Sequence, residues 1–366
     1  MMTSVLFENH HLYYLPHFLP IVAELRRRSG YRIAASISRT VHPTEQEIFA
    51  QEMANLGIEF ITGESEEART SILRKEAFDV VIVGNVGRLN DIVAGHSLAV
   101  MVYHGTGLKR SFYRDISDRI DLRAVDCPLR WKDLCTQVVT NGVLAGYTKL
   151  DALADEKDKS AELAQKLGLE PNVQTILYAP TFYPSSLDKT LPYLPGIAED
   201  LNVVIKLHHF SWFQQRYRYQ SLKAAEIADR YSRIHLVPGE EYNILPYYPL
   251  ADVLVSNISS TLFEFLALNR PIIKTEYYSL RLKHRIFPWR IRRRINWEWE
   301  ADIDFANRLK TPSRLRELLA HTLQHPEEMK AKREQAVERY LYRLDGRSSS
   351  RLVDAIENML QEQNRR

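Results

Sequence analysis

The sequence predicts an α/β chain built from two Rossmann-like, doubly wound parallel sheets. Three observations carry this. Short apolar runs rich in β-branched residues alternate with helical patterns, as βα units require. Runs such as Val80-Val81-Ile82-Val83 are apolar without alternation, which suits strands buried on both faces. And 366 residues are more than one hydrophobic core usually holds, so two domains are expected.

In chain order, the first half predicts strands at Ser4–Phe7, Arg32–Ile37, Glu59–Thr62, Val80–Gly84, Ala99–His104 and Gln137–Thr140. A helix runs from Pro20 to Arg28 and stops at Gly30, a glycine signal for a helix end. The second half predicts strands at Thr175–Ala179, Val203–Leu207, Ile234–Val237, Asp252–Ser256 and Pro271–Thr275. Between them the charged helical stretch Asp151–Glu170 reads either as a linker or as a surface helix of the first domain. The expected domains are residues 1–155 and 172–340, facing across a cleft. A C-terminal helix over 345–366 is expected to pack back on the first.

Composition excludes several classes. A formal net charge of +3 does not fit a dedicated nucleic-acid binder, whose basicity is usually global. The two cysteines, Cys127 and Cys135, cannot form a disulfide framework, and no His/Cys cluster has zinc-ligand spacing. This points to a reducing compartment. The start of the sequence lacks the basic and apolar regions of a signal peptide, and no run reaches the roughly 18 apolar residues of a membrane span. A cytoplasmic protein is therefore expected.

Ligands of doubly wound sheets sit at the carboxyl ends of strands, so functional residues are sought just after them. His104-Gly105-Thr106-Gly107-Leu108-Lys109 follows one predicted strand. A histidine there can exchange a proton near neutral pH. The glycines free backbone N–H groups for phosphate oxygens, and Lys109 adds a point charge. The same histidine could equally cap the next helix. Lys206-Leu207-His208-His209 follows another strand and again suits an anion; extended neighbours face opposite ways, so at most one of the two histidines is expected to face the cleft. Ser256-Asn257-Ile258-Ser259-Ser260-Thr261 leads into a helix. Thr261 and Glu264 have capping-box spacing, while the Ser259 and Ser260 hydroxyls and the helix N–H groups form a phosphate site. Finally, 281–294 holds seven Lys or Arg and no acid, interleaved with Phe287, Trp289 and Ile291. Arg285, Trp289, Arg290, Arg292, Arg293 and Arg294 are candidate contacts to an anionic membrane or a phosphorylated acceptor. No recognition motif accompanies this charge, so nucleic acid is not an expected partner.

Taken in order, these segments resemble the CDP-glycerol glycerophosphotransferase family, the teichoic-acid primases and polymerases of GT-B fold. Its His-Gly-Thr-Pro-x-Lys is similar to 104–109, and its Gly-Tyr-Pro-x-x-Asp to Gly146-Tyr147-Thr148-Lys149-Leu150-Asp151. Its Ile-Leu-Tyr-Ala-Pro-Thr matches Ile176-Leu177-Tyr178-Ala179-Pro180-Thr181. Its Lys-Leu-His-Pro resembles 206–209, its Asp-Tyr-Ser-Ser resembles Asn257-Ile258-Ser259-Ser260, and its Asp-Gly-Lys-x-x-x-Arg resembles Asp345-Gly346-Arg347-Ser348-Ser349-Ser350-Arg351. The resemblance covers roughly residues 80–358. The chain departs from the pattern at Gly107, His209 and Asn257-Ile258.

The resemblance implies a GT-B enzyme with an acceptor-side first domain and a nucleotide-donor second domain. It implies His104 as general base and His208 as donor-phosphate ligand or leaving-group assistant. Gly105, Thr106, Lys109, Thr181, Lys206, Ser259, Ser260, Thr261 and Glu264 are the donor or phosphate candidates. The implied donor is a CDP-alditol, CDP-glycerol above all, and the acceptor a lipid-linked glycan or polyol phosphate at the inner face of the cell membrane. No metal site is expected and no cofactor is required; Mg²⁺ is compatible but not indicated. A glycosyltransferase using a UDP-sugar, an epimerase of similar fold, and a non-catalytic membrane-peripheral binding protein stay open as alternatives.

Overall fold

The structure is a computed structural model that describes residues 2–105, 108, 116–137, 139–293 and 295–365. The chain divides into two compact units. One comprises Met1–Gly105, Ser111–Ala152 and Arg339–Arg366; the other comprises Thr106–Arg110 and Leu153–Glu338.

Among the described residues the first unit has seven strands: β1 (Thr3–Asn9), β2 (Tyr31–Ile37), β3 (Glu59–Phe60), β4 (Val80–Val83), β5 (Leu98–Val102), β6 (Leu122–Val125) and β7 (Gly142–Leu144). Their order is β3-β2-β1-β4-β5-β6-β7, with every pairing parallel. All four side chains of β4 are buried, as its uninterrupted apolar run requires. The chain winds outward from β1 to β3, then returns to β4 and winds the other way. This reversal between β1 and β4 opens a crevice at their carboxyl ends.

The second unit holds β8 (Thr175–Ala179), β9 (Asn202–Ile205), β10 (Ile234–Leu236), β11 (Val253–Ser256), β12 (Ile272–Thr275) and β13 (Asn307–Leu309), ordered β10-β9-β8-β11-β12-β13 and also parallel. Its winding reverses between β8 and β11, so Thr181 and Asn257 follow the two strands that flank the switch point.

Two motifs some 200 residues apart close the first unit. Gly146 sits at φ +96°, and a Cβ there would lie 2.7 Å from the Ser348 hydroxyl. The Asp151 carboxylate accepts the backbone N–H groups of Ser348 and Ser349 at 3.0 and 2.7 Å. It therefore satisfies two otherwise orphaned donors of the helix Ser348–Asn364 and places negative charge at its positive end. Arg351 holds the Ala145 carbonyl at 2.7 Å and pairs with Asp345 at 2.8 Å. Further along the same helix, Asp354 and Glu357 pair with Arg28 at 2.7 and 2.8 Å.

Local expectations fail in several places, the unforeseen strand β13 among them. The first helix begins at Leu15 and runs through Pro20. Its buried stripe of Leu15, Phe18, Ile21, Val22 and Leu25 outweighs the single hydrogen bond that proline removes. No strand forms at 137–140 among the described residues. The helix Pro128–Cys135 ends there in a turn, with the Gln137 and Val139 N–H groups bonded to the Leu134 carbonyl, and β7 starts only at Gly142. The strand β6 is disguised by Arg123, a buried cation whose guanidinium reaches the Ser117 carbonyl and the Tyr103 hydroxyl.

Candidate active site

In the first unit, His104 follows β5 and is half-buried. Its Nδ1 lies 3.2 Å from the Gly84 carbonyl oxygen. A carbonyl only accepts, so Nδ1 carries the proton and Nε2 carries the lone pair. The ring packs at 4.2 Å from Tyr14 and 5.5 Å from Tyr13. Tyr14 is held in turn by Asn85, whose amide donates to its hydroxyl at 2.9 Å. Gly84 makes this packing possible: a Cβ there would sit 2.0 Å from the Tyr14 ring.

The next residue, Gly105, gives its carbonyl to the Arg130 guanidinium. Arg130 is fully buried, grips Asp126 with two hydrogen bonds of 2.6 and 3.1 Å, and lies 4.5 Å over the Tyr103 ring. One cation thus holds the residues on both sides of His104. Thr106 and Lys109 lie outside the described residues.

In the second unit, His208 follows β9. Its Nδ1 accepts the Phe210 backbone N–H at 3.1 Å. Here Nδ1 is the acceptor, so Nε2 bears the hydrogen, the opposite tautomer to His104. The His208 ring packs on Phe182 at 4.6 Å. His209 is buried against Phe213 and stands at the start of the helix Phe210–Phe213 in helical backbone geometry, so the expected strand alternation does not reach it. Lys206 is buried, with its ammonium 3.5 Å from the Leu207 carbonyl.

The two strands at the switch point are joined by Asn257. Its Oδ1 accepts the Thr181 N–H at 2.7 Å, and its Nδ2 donates to the Pro184 carbonyl at 2.9 Å. On the other side of the turn, Ser259 Oγ accepts from the Thr261 N–H and hydroxyl at 3.3 and 3.1 Å. Ser256 Oγ, which donates to the Ala179 carbonyl at 2.6 Å and lies 2.9 Å from the Thr261 hydroxyl, links this pair to the strand β8 that leads to Thr181. The capping box does not form. Ser260 stands at the helix start without a side-chain capping bond, and Glu264 is buried with its carboxylate on the Tyr248 hydroxyl at 2.8 Å.

The basic segment divides. Arg281 stacks at 4.4 Å on Tyr183 and 4.9 Å on Tyr217, and buried His284 bonds the Tyr183 hydroxyl. These two residues tie the segment to the loop after β8. Arg285, Trp289, Arg290, Arg292 and Arg293 are exposed, beside exposed Leu282 and Ile286. Arg294 lies outside the described residues. Sequence reasoning passed over Tyr14, Asn85, Arg130, Phe182 and Arg281. Only Arg281 carried a signal, as the first cation of the basic run.

A model of the family described as CDP-glycerol:poly(glycerophosphate) glycerophosphotransferase matches residues 131–358. The chain belongs to that family. The match contains His208, the serine turn and Asp345–Arg351, and begins after His104. None of the curated proteins compared matches the chain. Among solved structures, the wall teichoic acid polymerase TagF superposes with a TM-score of 0.69 at 16% identity, covering 100% of this chain and 90% of that one. A putative UDP-N-acetylglucosamine 2-epimerase from Listeria monocytogenes gives 0.67 at 15% identity, covering 99% and 97%. The UDP-GlcNAc 2-epimerase from Neisseria meningitidis, bound to UDP-GlcNAc, gives 0.59 at 14%, covering 98% and 100%. At these identities the likeness is one of fold, and that fold is GT-B. The glycerophosphotransferase family fixes the activity class: a transferase of glycerol phosphate, with a CDP-activated donor.

Proposed function

We propose that the protein transfers glycerol phosphate, or a related alditol phosphate, from its CDP-activated donor to a hydroxyl of a membrane-linked glycan or polyol-phosphate acceptor, releasing CMP. The observation that carries this reading is the pair of opposite tautomers. With Nδ1–H tied to Gly84, His104 offers Nε2 as a base for the acceptor hydroxyl. With Nδ1 occupied by the Phe210 N–H, His208 offers Nε2–H as a donor to the diphosphate. The acceptor oxygen attacks the phosphorus that bears glycerol. The bond from that phosphorus to the bridging oxygen breaks, CMP leaves with the electron pair, and His104 keeps the acceptor's proton. Such transfers depend mainly on positioning and on charge stabilisation. Lys206, Thr181, Ser259 and Ser260 are the residues assigned to the diphosphate.

The exposed part of the basic segment supports peripheral binding to an anionic membrane, where the acceptor lipid is held. Leu282, Ile286 and Trp289 are 69, 57 and 50% exposed among cations, a combination that suits a headgroup boundary. Among the described residues no helix is long and apolar enough to cross a membrane.

The test supplies CDP-glycerol and a lipid-linked acceptor analogue and follows CMP. The wild type is expected to release CMP, and His104→Ala and His208→Ala each to lose about 10²–10⁴-fold in rate. CMP and CDP, but not UDP, are expected to raise the melting temperature. Absence of CMP from every CDP-alditol, or both variants turning over at the wild-type rate, overturns the assignment.

A further inference from the structure

The connections that follow β8, β9 and β12 are stitched together in the second unit. Ser279 donates its N–H to the Ser185 carbonyl at 2.8 Å, which joins the loop after β12 to the loop after β8. Two residues on, the Arg281 backbone N–H donates to the Tyr183 hydroxyl at 3.3 Å. The Arg281 guanidinium lies 4.4 Å over the Tyr183 ring and 4.9 Å over the Tyr217 ring, and it donates to the Tyr217 hydroxyl. Tyr217 meets Phe182 edge-on at 5.0 Å, and Phe182 is the ring on which His208 packs at 4.6 Å. Arg281 therefore belongs to the same aromatic cluster as His208.

What Arg281 lacks is a counter-ion. Arg69, Arg130 and Lys274, all fully buried, each meet carboxylates: Glu8 and Glu66, Asp126, and Glu276 and Glu300. Buried Arg333 is spent instead on the Asn269 and Pro326 carbonyls. Arg281 is half-buried, yet among the described residues no carboxylate pairs with it, and the Tyr217 phenol is the one acceptor its guanidinium reaches. From 281 to 293 the chain carries no acid. A partly desolvated cation without a counter-ion is stabilised by an anion brought to it. The two rings fix the guanidinium in advance, so an arriving anion costs little side-chain entropy. The N–H groups that Tyr217 does not use offer a fork to two oxygens of one phosphate.

The position selects the anion. Tyr183, under the guanidinium, lies two residues beyond Thr181, whose N–H is held by Asn257 at the switch point between β8 and β11. Sheets of this kind bind their ligands there. We propose that Arg281, presented by Tyr183 and Tyr217, is a donor-binding residue that takes the diphosphate of the CDP-activated donor. This rests on the transferase reading for the identity of the donor, but its binding test needs no turnover. A lipid phosphate is the other source of the same chemistry, because the exposed cations further along the segment are assigned to a membrane.

The test compares the full-length wild type with Arg281→Gln and Arg281→Lys in three arms. CDP is followed by isothermal titration, cytidine by saturation-transfer NMR, and phosphatidylglycerol vesicles by cosedimentation. CDP is expected to bind Arg281→Gln about 10–100-fold more weakly, the loss of charge-assisted hydrogen bonds to one phosphate. Cytidine, which has no phosphate, should bind both variants as it binds the wild type, and vesicle binding should stay at the wild-type level. Arg281→Lys keeps the charge but not the fork, so CDP should weaken about tenfold; this variant carries the test if Arg281→Gln does not fold. The proposal is overturned if the wild type binds no CDP or if both variants bind it as the wild type does. It is overturned too if cytidine weakens as much as CDP, which makes Arg281 a support of the fold. Loss of vesicle binding with CDP binding intact also overturns it and assigns the cation to a lipid phosphate. A protein that loses CDP affinity in Arg281→Gln yet releases no CMP from CDP-glycerol fails the transferase assignment alone.

Discussion

The Nδ1 of His104 lies 3.2 Å from the carbonyl oxygen of Gly84, and the same glycine clears the space that the Tyr14 ring fills against His104. Gly84→Ala should therefore damage two supports at once. A Cβ 2.0 Å from the Tyr14 ring forces that ring aside. Overpacking of this kind costs about 1–3 kcal/mol. Denaturant unfolding should register that loss, and CMP-release kinetics should show kcat falling further than the donor KM rises. A variant with wild-type kcat would mean that the ring wall does not place His104.

Arg130 is expected to position the His104 loop. Arg130→Lys keeps the charge but loses the two-point grip on Asp126 and the hold on Gly105. It should fold, with kcat reduced about tenfold or more and the donor KM little changed, if His104 is the base and only its positioning is lost. Arg130→Ala leaves Asp126 buried and unpaired, which costs about 3–5 kcal/mol. Equal kcat in wild type and Arg130→Lys would make the cluster purely structural.

Asn257 separates packing from polarity in the second unit. Asn257→Ala strands the Thr181 N–H and the Pro184 carbonyl, each at about 1–3 kcal/mol. Asn257→Asp can still accept from Thr181 but sets a carboxylate against the Pro184 carbonyl. Both should weaken CDP binding, Asp more than Ala if the turn carries the diphosphate, because a fixed negative charge then repels it. Isothermal titration with CDP checks the order.

Stability should fall in mild acid because of His17. Burial pushes its pKa well below the ordinary value, with Lys149 adding to the effect. The unfolded chain then binds a proton that the folded chain refuses, so stability is lost as pH drops below the ordinary imidazole range, about 6.5. The slope is at most about 1.4 kcal/mol per pH unit for this one group. His10 and His235 shift the same way and add to it. His17→Gln should flatten the fall in melting temperature between about pH 6.5 and about pH 5.5. An unchanged slope would show that His17 does not titrate on unfolding.

Replacing Arg285, Arg290, Arg292 and Arg293 with Gln should release the protein from anionic vesicles. At about 1 kcal/mol per cation, the loss is roughly a thousandfold in partition coefficient. Wild-type binding should weaken with salt and vanish on neutral vesicles. Cosedimentation that ignores both lipid charge and these substitutions would remove the membrane assignment.

The sequence by itself determined the α/β class, most strand positions and the order of the motifs. Those depend on local apolar periodicity and on short residue patterns, which no distant contact is needed to read. It could not determine which motif residues serve chemistry and which serve the fold. Glu264 has the spacing of a cap but goes to Tyr248, and Asp151 reads as one more motif acid but caps a helix 197 residues on. Nor could it show the tautomers of His104 and His208. Each is decided by one backbone group: the Gly84 carbonyl, 20 residues away in sequence, and the Phe210 N–H, placed by the start of a short helix. A proton's position on an imidazole depends on the partner across the hydrogen bond, and only the tertiary structure supplies that partner.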